Sequence, residues 1–297
     1  MVRVLGEAAP PAGGIDLDLP GEDIRLAATR WPGTGTPIVL LHGLASQRRF
    51  WNLVVPSLAG CSPVLALDQR GHGGSDRPDT GYAVQSVAAD LGPALDAIGW
   101  SRAVLVGHSW GAAVAATFAA AHPERVLSLV CIDGGFMSPP PGFDREAARR
   151  RMQPPRLAMA PEELEQMLRQ HAPTEWSDAV AAAILPIFAV GDDGLARARL
   201  PFDTHMQIVD GLLDYDAPAT LGQVRCPAWM VACSPVGADP DEWSRGKEMA
   251  LQRAVDVTAS VRVMRWGGAV HDVPLQWPAL VAGLVRTAVD GVQSAQP

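Results

Sequence analysis

The chain has 297 residues, 48% of them hydrophobic and 19% charged, and its 24 basic against 32 acidic side chains leave a formal net charge of −8. This length and apolar content can bury a large α/β core, or two small ones, without disulfides or metals, which excludes disordered, collagen-like and small stapled scaffolds. The acidic balance, with Lys247 the sole lysine beside many arginines, argues against a nucleic-acid surface.

Residues 1–14 hold one early arginine and then Ala, Pro and Gly, where a secretory signal needs a continuous apolar segment, so a cytoplasmic protein is expected. Residues 24–31 alternate apolar and polar like a half-exposed strand, and 37–41 form a short apolar run like a buried one. A helix is expected around 50–58, a strand at 62–67 and a helix at 84–98, where apolar residues recur at helical spacing. A strand at 103–106 runs into Gly107, a turn and an alanine-rich helix at 111–121, and 126–132 repeats the strand pattern. From 136 to 216 the rhythm breaks into Pro-rich stretches, charge clusters and helical segments without a convincing strand, which predicts an inserted helical cap. Strands at 228–233 and 261–266 and helices at 241–255 and 278–289 complete the chain. Strand–helix alternation predicts a mainly parallel, doubly wound sheet: a core domain of 1–135 and 217–297 interrupted by the 136–216 cap. The longest weakly polar runs, 112–121 and 179–190, fall short of the roughly 18–20 residues that span a bilayer, so no membrane is expected.

Cys61, Cys131, Cys226 and Cys233 show neither a CxxC pair nor an accompanying histidine cluster, so no metal or redox motif is indicated. The chemically informative segment is Gly107-His108-Ser109-Trp110-Gly111, set between a predicted strand and a predicted helix. A serine hydroxyl becomes a nucleophile when a rigid support aims it at a base, and a tight strand-to-helix turn is such a support, as the G-x-S-x-G pattern requires. The helix that follows directs free N–H groups and a positive dipole end at negative charge developing beside Ser109.

With three further blocks, the chain resembles the α/β-hydrolase fold family from about residue 24 to 289. His42-Gly43-Leu44 follows a buried strand like that family's oxyanion-loop HG motif, and Asp68-Gln69-Arg70-Gly71-His72-Gly73-Gly74-Ser75 is similar to its D-x-R-G-H-G-x-S block. His271-Asp272, beyond the last predicted strand, resembles the late catalytic histidine. The order nucleophile, acid, histidine makes His271 the expected general base, since an imidazole side chain can relay protons at neutral pH. The family's usual G-x-x-D acid pattern after the cap is missing, and Asp239 is the residue nearest to it. Some relatives, such as haloalkane dehalogenases and certain lactonases, carry the acid at the end of the strand after the nucleophile helix. Asp133 stands at that strand end and is preferred, with Asp239 the alternative; Asp272 adjoins the histidine and would point away from it.

The N–H of Trp110, directly after the nucleophile, and by resemblance that of Leu44 would form the oxyanion hole. His42, Gly43, Phe136, Trp176, Phe188, Phe202 and His205 are the candidate pocket residues, several of which are equally suited to ordinary cap core. The resemblance implies a serine hydrolase with no cofactor and no metal. The expected partner is a small ester or lactone; neither nucleic acid nor membrane is expected, and a homodimer is compatible. A thioesterase, carbon–carbon hydrolase or cofactor-free perhydrolase would use the same residues, and a ligand-binding protein on this scaffold is the non-catalytic alternative. Serine at the elbow argues against the alkyl-enzyme chemistry of dehalogenases and epoxide hydrolases.

Overall fold

The computed structural model describes residues 3–7, 9–140, 142–234 and 242–294, with backbone alone at 242–244. After a two-residue strand β1 (Arg3–Val4), a hairpin of β2 (Ile15–Pro20) and β3 (Arg25–Trp31) leads into β4 (Ile38–Leu41) and β5 (Val64–Leu67). Helices α1 (Val84–Ala89) and α2 (Leu91–Ala97) precede β6 (Ala103–His108), α3 (Trp110–Ala121) and β7 (Val126–Ile132). The segment between β7 and the next strand of the main sheet carries α4 (Arg145–Arg151), α5 (Pro161–His171), α6 (Asp178–Ile184), β8 (Phe188–Val190), β9 (Ala196–Ala198), α7 (Phe202–Leu213) and α8 (Ala217–Leu221). The chain returns through β10 (Ala228–Ser234), α9 (Glu242–Val257), β11 (Val261–Gly267), α10 (Val273–Gln276) and α11 (Pro278–Gln293).

Eight strands form one sheet in the order β11-β10-β7-β6-β4-β5-β3-β2. The six from β11 to β5 pair in parallel, while β3 and β2 add an antiparallel edge. The central strands are apolar at every position because both faces are covered: Val39 and Leu41 enter one core cluster with α1, α2 and α3, while Ile38 and Leu40 enter a second with α11. Leu105 and Val106 of β6 divide between the two clusters in the same way. Helix α3 is buried from Trp110 through Ala119, so its alanines are contact surface that lets it lie close to the sheet.

Three expectations are corrected and one strand is added. The 15–20 strand is absent from the sequence reading, although Ile15-Asp-Leu-Asp-Leu alternates with period two; it is the outer edge, with Ile15 exposed. The expected 84–98 helix is two helices, because Pro93 has no N–H to donate and its ring crowds the carbonyl four residues back, at Ala89, where α1 ends. Likewise 50–58 is not one helix but two short 3-10 turns at Arg48–Trp51 and Val55–Ser57, with Pro56 inside the second. Residues 136–216, expected to be helical, also carry strands: β8 and β9 form a hairpin across residues 191–195, and β1 pairs antiparallel to β8 as a third strand.

Candidate active site

Three parallel strands end at the same edge, and a loop bearing one candidate side chain leaves each of them. Ser109 follows β6 with φ +53° and ψ −120°, a conformation that L-residues rarely adopt and that turns the chain sharply from strand into α3. Its N–H donates to the Ile132 carbonyl at 2.9 Å, which fixes the turn to the neighbouring strand. Asp133 follows β7, also at positive φ, +48°. Gly134 makes room for the pair: a Cβ there would lie 2.3 Å from the Ser109 carbonyl oxygen. His271 stands on the loop after β11. That loop is held by Gln276, whose side chain accepts from the Val270 N–H at 2.8 Å and donates to the Gly268 carbonyl at 2.9 Å.

The three side chains meet. Ser109 Oγ is 3.0 Å from His271 Nε2, and His271 Nδ1 is 2.8 Å from Asp133 Oδ2. The carboxylate leaves one tautomer for a neutral His271, with Nδ1–H donating to Asp133 and Nε2 free to accept from the serine hydroxyl. Asp133 is buried, whereas the His271 side chain is 56% exposed, so the relay opens to solvent at its histidine. The second carboxylate oxygen is also engaged: Asp133 Oδ1 accepts from the Cys233 N–H at 2.8 Å and from Lys247 Nζ at 2.7 Å. Burial alone would raise the Asp133 carboxyl. The His271 hydrogen bond, the Lys247 charge and hydrogen bond, and the Cys233 N–H together hold it below its ordinary value. Asp239, the alternative acid, lies outside the described residues.

The HG loop lies directly beside the serine, since a Cβ on Gly43 would come 3.2 Å from Ser109 Cβ. His42 itself is fully buried and does not line a pocket. Its Nδ1–H donates to the Gly43 carbonyl at 2.7 Å and its Nε2 accepts from the Gln69 N–H at 3.1 Å, so it braces the loop. His72 braces the next residues: Nε2 accepts from the Ala45 N–H at 3.2 Å, and Nδ1–H donates to the Arg70 carbonyl at 3.0 Å. Burial holds both imidazoles neutral, His42 down to about 4 and His72 to about 3, which keeps one nitrogen of each as an acceptor. Trp110 opens α3, where a helix N–H has no partner within the helix.

The other expected pocket residues scatter. Phe136 is buried in the main core below the sheet, and Phe188 packs with Leu164, Val190 and Ala196 inside the insertion. Trp176 is half-buried beneath the Arg169 guanidinium, and His205 is buried with Nε2–H donating to the Met152 carbonyl at 3.1 Å. Phe202 is the exception: it packs on the Met206–Val209–Leu213 cluster, which Leu44 also touches, and Arg156 lies over its ring at 4.1 Å.

Two participants escape the sequence reading. Lys247 arrives from α9, where its neighbours read as helix surface, and its one visible signal is that it is the sole lysine. His108 is known from the sequence only as the residue before the serine. Its Nε2–H donates to the His271 backbone carbonyl at 2.8 Å, its ring stacks on Phe50, and burial with His271 nearby pushes it down to about 4. Among the described residues no group of three or more His, Cys, Asp or Glu is placed to hold a metal ion, and no helix is long and apolar enough to cross a membrane.

A family model described as alpha/beta hydrolase fold matches residues 36–161. Epoxide hydrolase B of Mycobacterium tuberculosis is 39% identical over 124 residues, 40% of this chain and 35% of that protein. The 2-(acetamidomethylene)succinate hydrolase of Mesorhizobium japonicum is 38% identical over 104 residues, 35% of this chain and 37% of that protein. These matches span about a third of the curated relatives' length. Among solved structures, an E-2-(acetamidomethylene)succinate hydrolase superposes with a TM-score of 0.76 at 24% identity, covering 93% of this chain and 99% of that one. A thermophilic esterase from Thermogutta terrifontis gives 0.67 at 20%, covering 94% and 99%. The proteins so matched are hydrolases by name.

Proposed function

This chain has the α/β-hydrolase fold, and on that scaffold we propose a serine hydrolase that cleaves a carboxylic ester or lactone of small to medium apolar character through an acyl-enzyme. The observation that carries the reading is the unbroken relay from Ser109 Oγ through His271 to Asp133, at 3.0 and 2.8 Å. His271 Nε2 takes the serine proton as Oγ attacks the acyl carbon, and Asp133 stabilises the imidazolium that forms. The N–H groups of Trp110 and Leu44 stabilise the tetrahedral oxyanion. The imidazolium then protonates the departing alkoxide, and a water activated by the same Nε2 frees the acid and restores Ser109. Leu44 and Phe202, on the apolar cluster of α7, supply the wall on which an apolar substrate would rest, with the 136–216 insertion as its cap.

The similarity to epoxide hydrolases does not bring their reaction with it. Serine opening an epoxide would leave an ether with no acyl carbon for water to attack, and turnover would stop there. An acyl ester on serine is hydrolysable, so the nucleophile selects acyl chemistry. The likeness to an acetamidomethylene-succinate hydrolase favours a second reading, a different acyl bond cleaved by the same relay. A panel of p-nitrophenyl acyl esters, lactones, thioesters and N-acyl compounds separates the two. Turnover of esters or lactones, abolished in Ser109→Ala, is expected; turnover confined to N-acyl compounds or thioesters moves the assignment to that bond. Absence of turnover on every acyl substrate, with tight retention of a small molecule, would instead mark a binding protein.

A further inference from the structure

We propose that Lys247 is a positioning residue of the Ser109–His271–Asp133 relay, a built-in counter-cation that fixes the rotation of the Asp133 carboxylate and sets the lower pH boundary of the reaction. The inference rests on the functional reading above and adds a residue to it.

The geometry is specific. Lys247 Nζ lies 2.7 Å from Asp133 Oδ1 and 3.0 Å from the Cys233 carbonyl, with 13% of its side chain exposed against 1% for Asp133. Two donors, the ammonium and the Cys233 N–H, occupy Oδ1, while Oδ2 faces His271 Nδ1. A carboxylate so clamped keeps one oxygen on Nδ1–H and does not rotate to share it. The chain uses arginine at every other basic position, yet here it has the compact, point-like ammonium, which reaches one oxygen without the two-pronged grip of a guanidinium.

Charge is the second consequence. Around the His271–Asp133 pair stand Ser109 and His108 from the end of β6, Cys233 from β10, Asp272 from the histidine's own loop and Lys247 from α9. His108 is neutral at working pH, and burial beside Asp133 pushes the Cys233 thiol up to about 12. On the neighbouring surface of α9 and β11, Glu248 and Arg265 pair with each other, Arg265 Nε donating to Glu248 Oε1 at 3.0 Å. Helix α8, which also packs on α9, has no charged residue within Ala217–Leu221. Among the described residues, Lys247 is the cation hydrogen-bonded to Asp133. An isolated carboxylate draws a proton onto the imidazole and blocks the base as pH falls; one already paired with an ammonium draws it less. The pairing with Lys247 therefore weakens the pull of Asp133 on the imidazole proton.

The test is the rate of Ser109 phosphonylation by a fluorophosphonate probe from pH 4.5 to 9, which needs an activated serine and no knowledge of the natural substrate. Wild type, Lys247→Met, Lys247→Gln and Lys247→Arg are compared, with Ser109→Ala as the blank. Loss of the charge in the Met and Gln variants is expected to move the acidic limb upward by about half to one pH unit, while Arg restores the wild-type limb. The Gln variant keeps a donor at the site and serves if the Met variant does not fold. Neutral variants that label more slowly, or melt earlier, with the limb unmoved would overturn the proposal and leave Lys247 a structural residue. An unlabelled wild-type Ser109 would overturn the serine-hydrolase reading and this inference with it, an outcome distinct from an unmoved limb.

Discussion

Asp133 shows how much work one carboxylate is given: Oδ2 meets His271, while Oδ1 takes the Cys233 N–H and the Lys247 ammonium. Asp133→Asn replaces an anion by a dipole, lets the imidazole take the wrong tautomer, and leaves Lys247 facing a neutral amide. Its kcat on an ester substrate is expected to fall by about 10⁴-fold at pH 7.5, by the logic of the serine triad. A loss under tenfold would move the acid's role elsewhere, to Asp239. At this scale the sequence is informative where chemistry imposes a local pattern. Ser109 stands inside its glycines, Asp133 stands at a strand end, and His271 stands on the loop beyond one. It is silent where the decisive fact is tertiary. Gly246-Lys247-Glu248 reads as exposed helix, and only the packing of α9 against β10 turns Lys247 inward. His42 and Phe136 are the converse, pocket candidates by position in the chain that the fold spends on bracing and core.

Among the elements, the turn after β5 and the junction of α1 with α2 are joined by one buried pair. Arg70 donates to Asp90 from Nε at 2.7 Å and from Nη2 at 2.6 Å, with both side chains under a tenth exposed. Asp90 Oδ1 also accepts from the Glu22 N–H at 2.9 Å, so this carboxylate ties three segments together. Removing one partner strands a buried charge: Arg70→Met is expected to lower unfolding free energy by about 3–5 kcal/mol in urea denaturation, and Arg70→Met with Asp90→Leu by less than either single change. Equal and additive losses would mean that the pair is not coupled. Elements with long apolar or strongly periodic runs are legible in sequence, as β4, β6, β7 and α3 are. Those missed or misdrawn have weak or competing signals. Strand β2 alternates over only six residues beside paired glycines, α1 and α2 part at Asp90 just ahead of Pro93, and β8–β9 is a hairpin of two three-residue strands inside helical surroundings, although its Asp-Gly turn is a usable marker.

For the molecule as a whole, His42, His72 and His108 together link stability to pH. Each is buried and neutral, pushed down to about 4, 3 and 4 from an ordinary value of 6.5. Below pH 6.5 the unfolded chain binds protons that the folded chain refuses, so stability falls as pH drops from about 6.5 toward 4 and is flat with respect to these groups above 7. At pH 5 the loss is on the order of 2 kcal/mol for each histidine. The urea midpoint is therefore expected to drop clearly between pH 7 and 5, and less steeply in His72→Gln; a midpoint constant over that range contradicts the account. The doubly wound sheet is legible at this scale because strands buried on both faces leave continuous apolar runs. The joining of β1 to the insertion is not, because a two-residue ladder between Arg3 and Val190 has no sequence signature.

The single lysine also makes the protein unusual as a reagent. Amine-directed acylating agents, which decorate most proteins at many surface positions, have one side-chain target here, and that target is shielded and hydrogen-bonded at the relay. The extent of side-chain acylation becomes a gauge of whether Asp133 holds its cation. Coupling to amine-reactive supports has no well-exposed lysine side chain to use, so attachment through a lysine would have to be engineered by placing one away from the site.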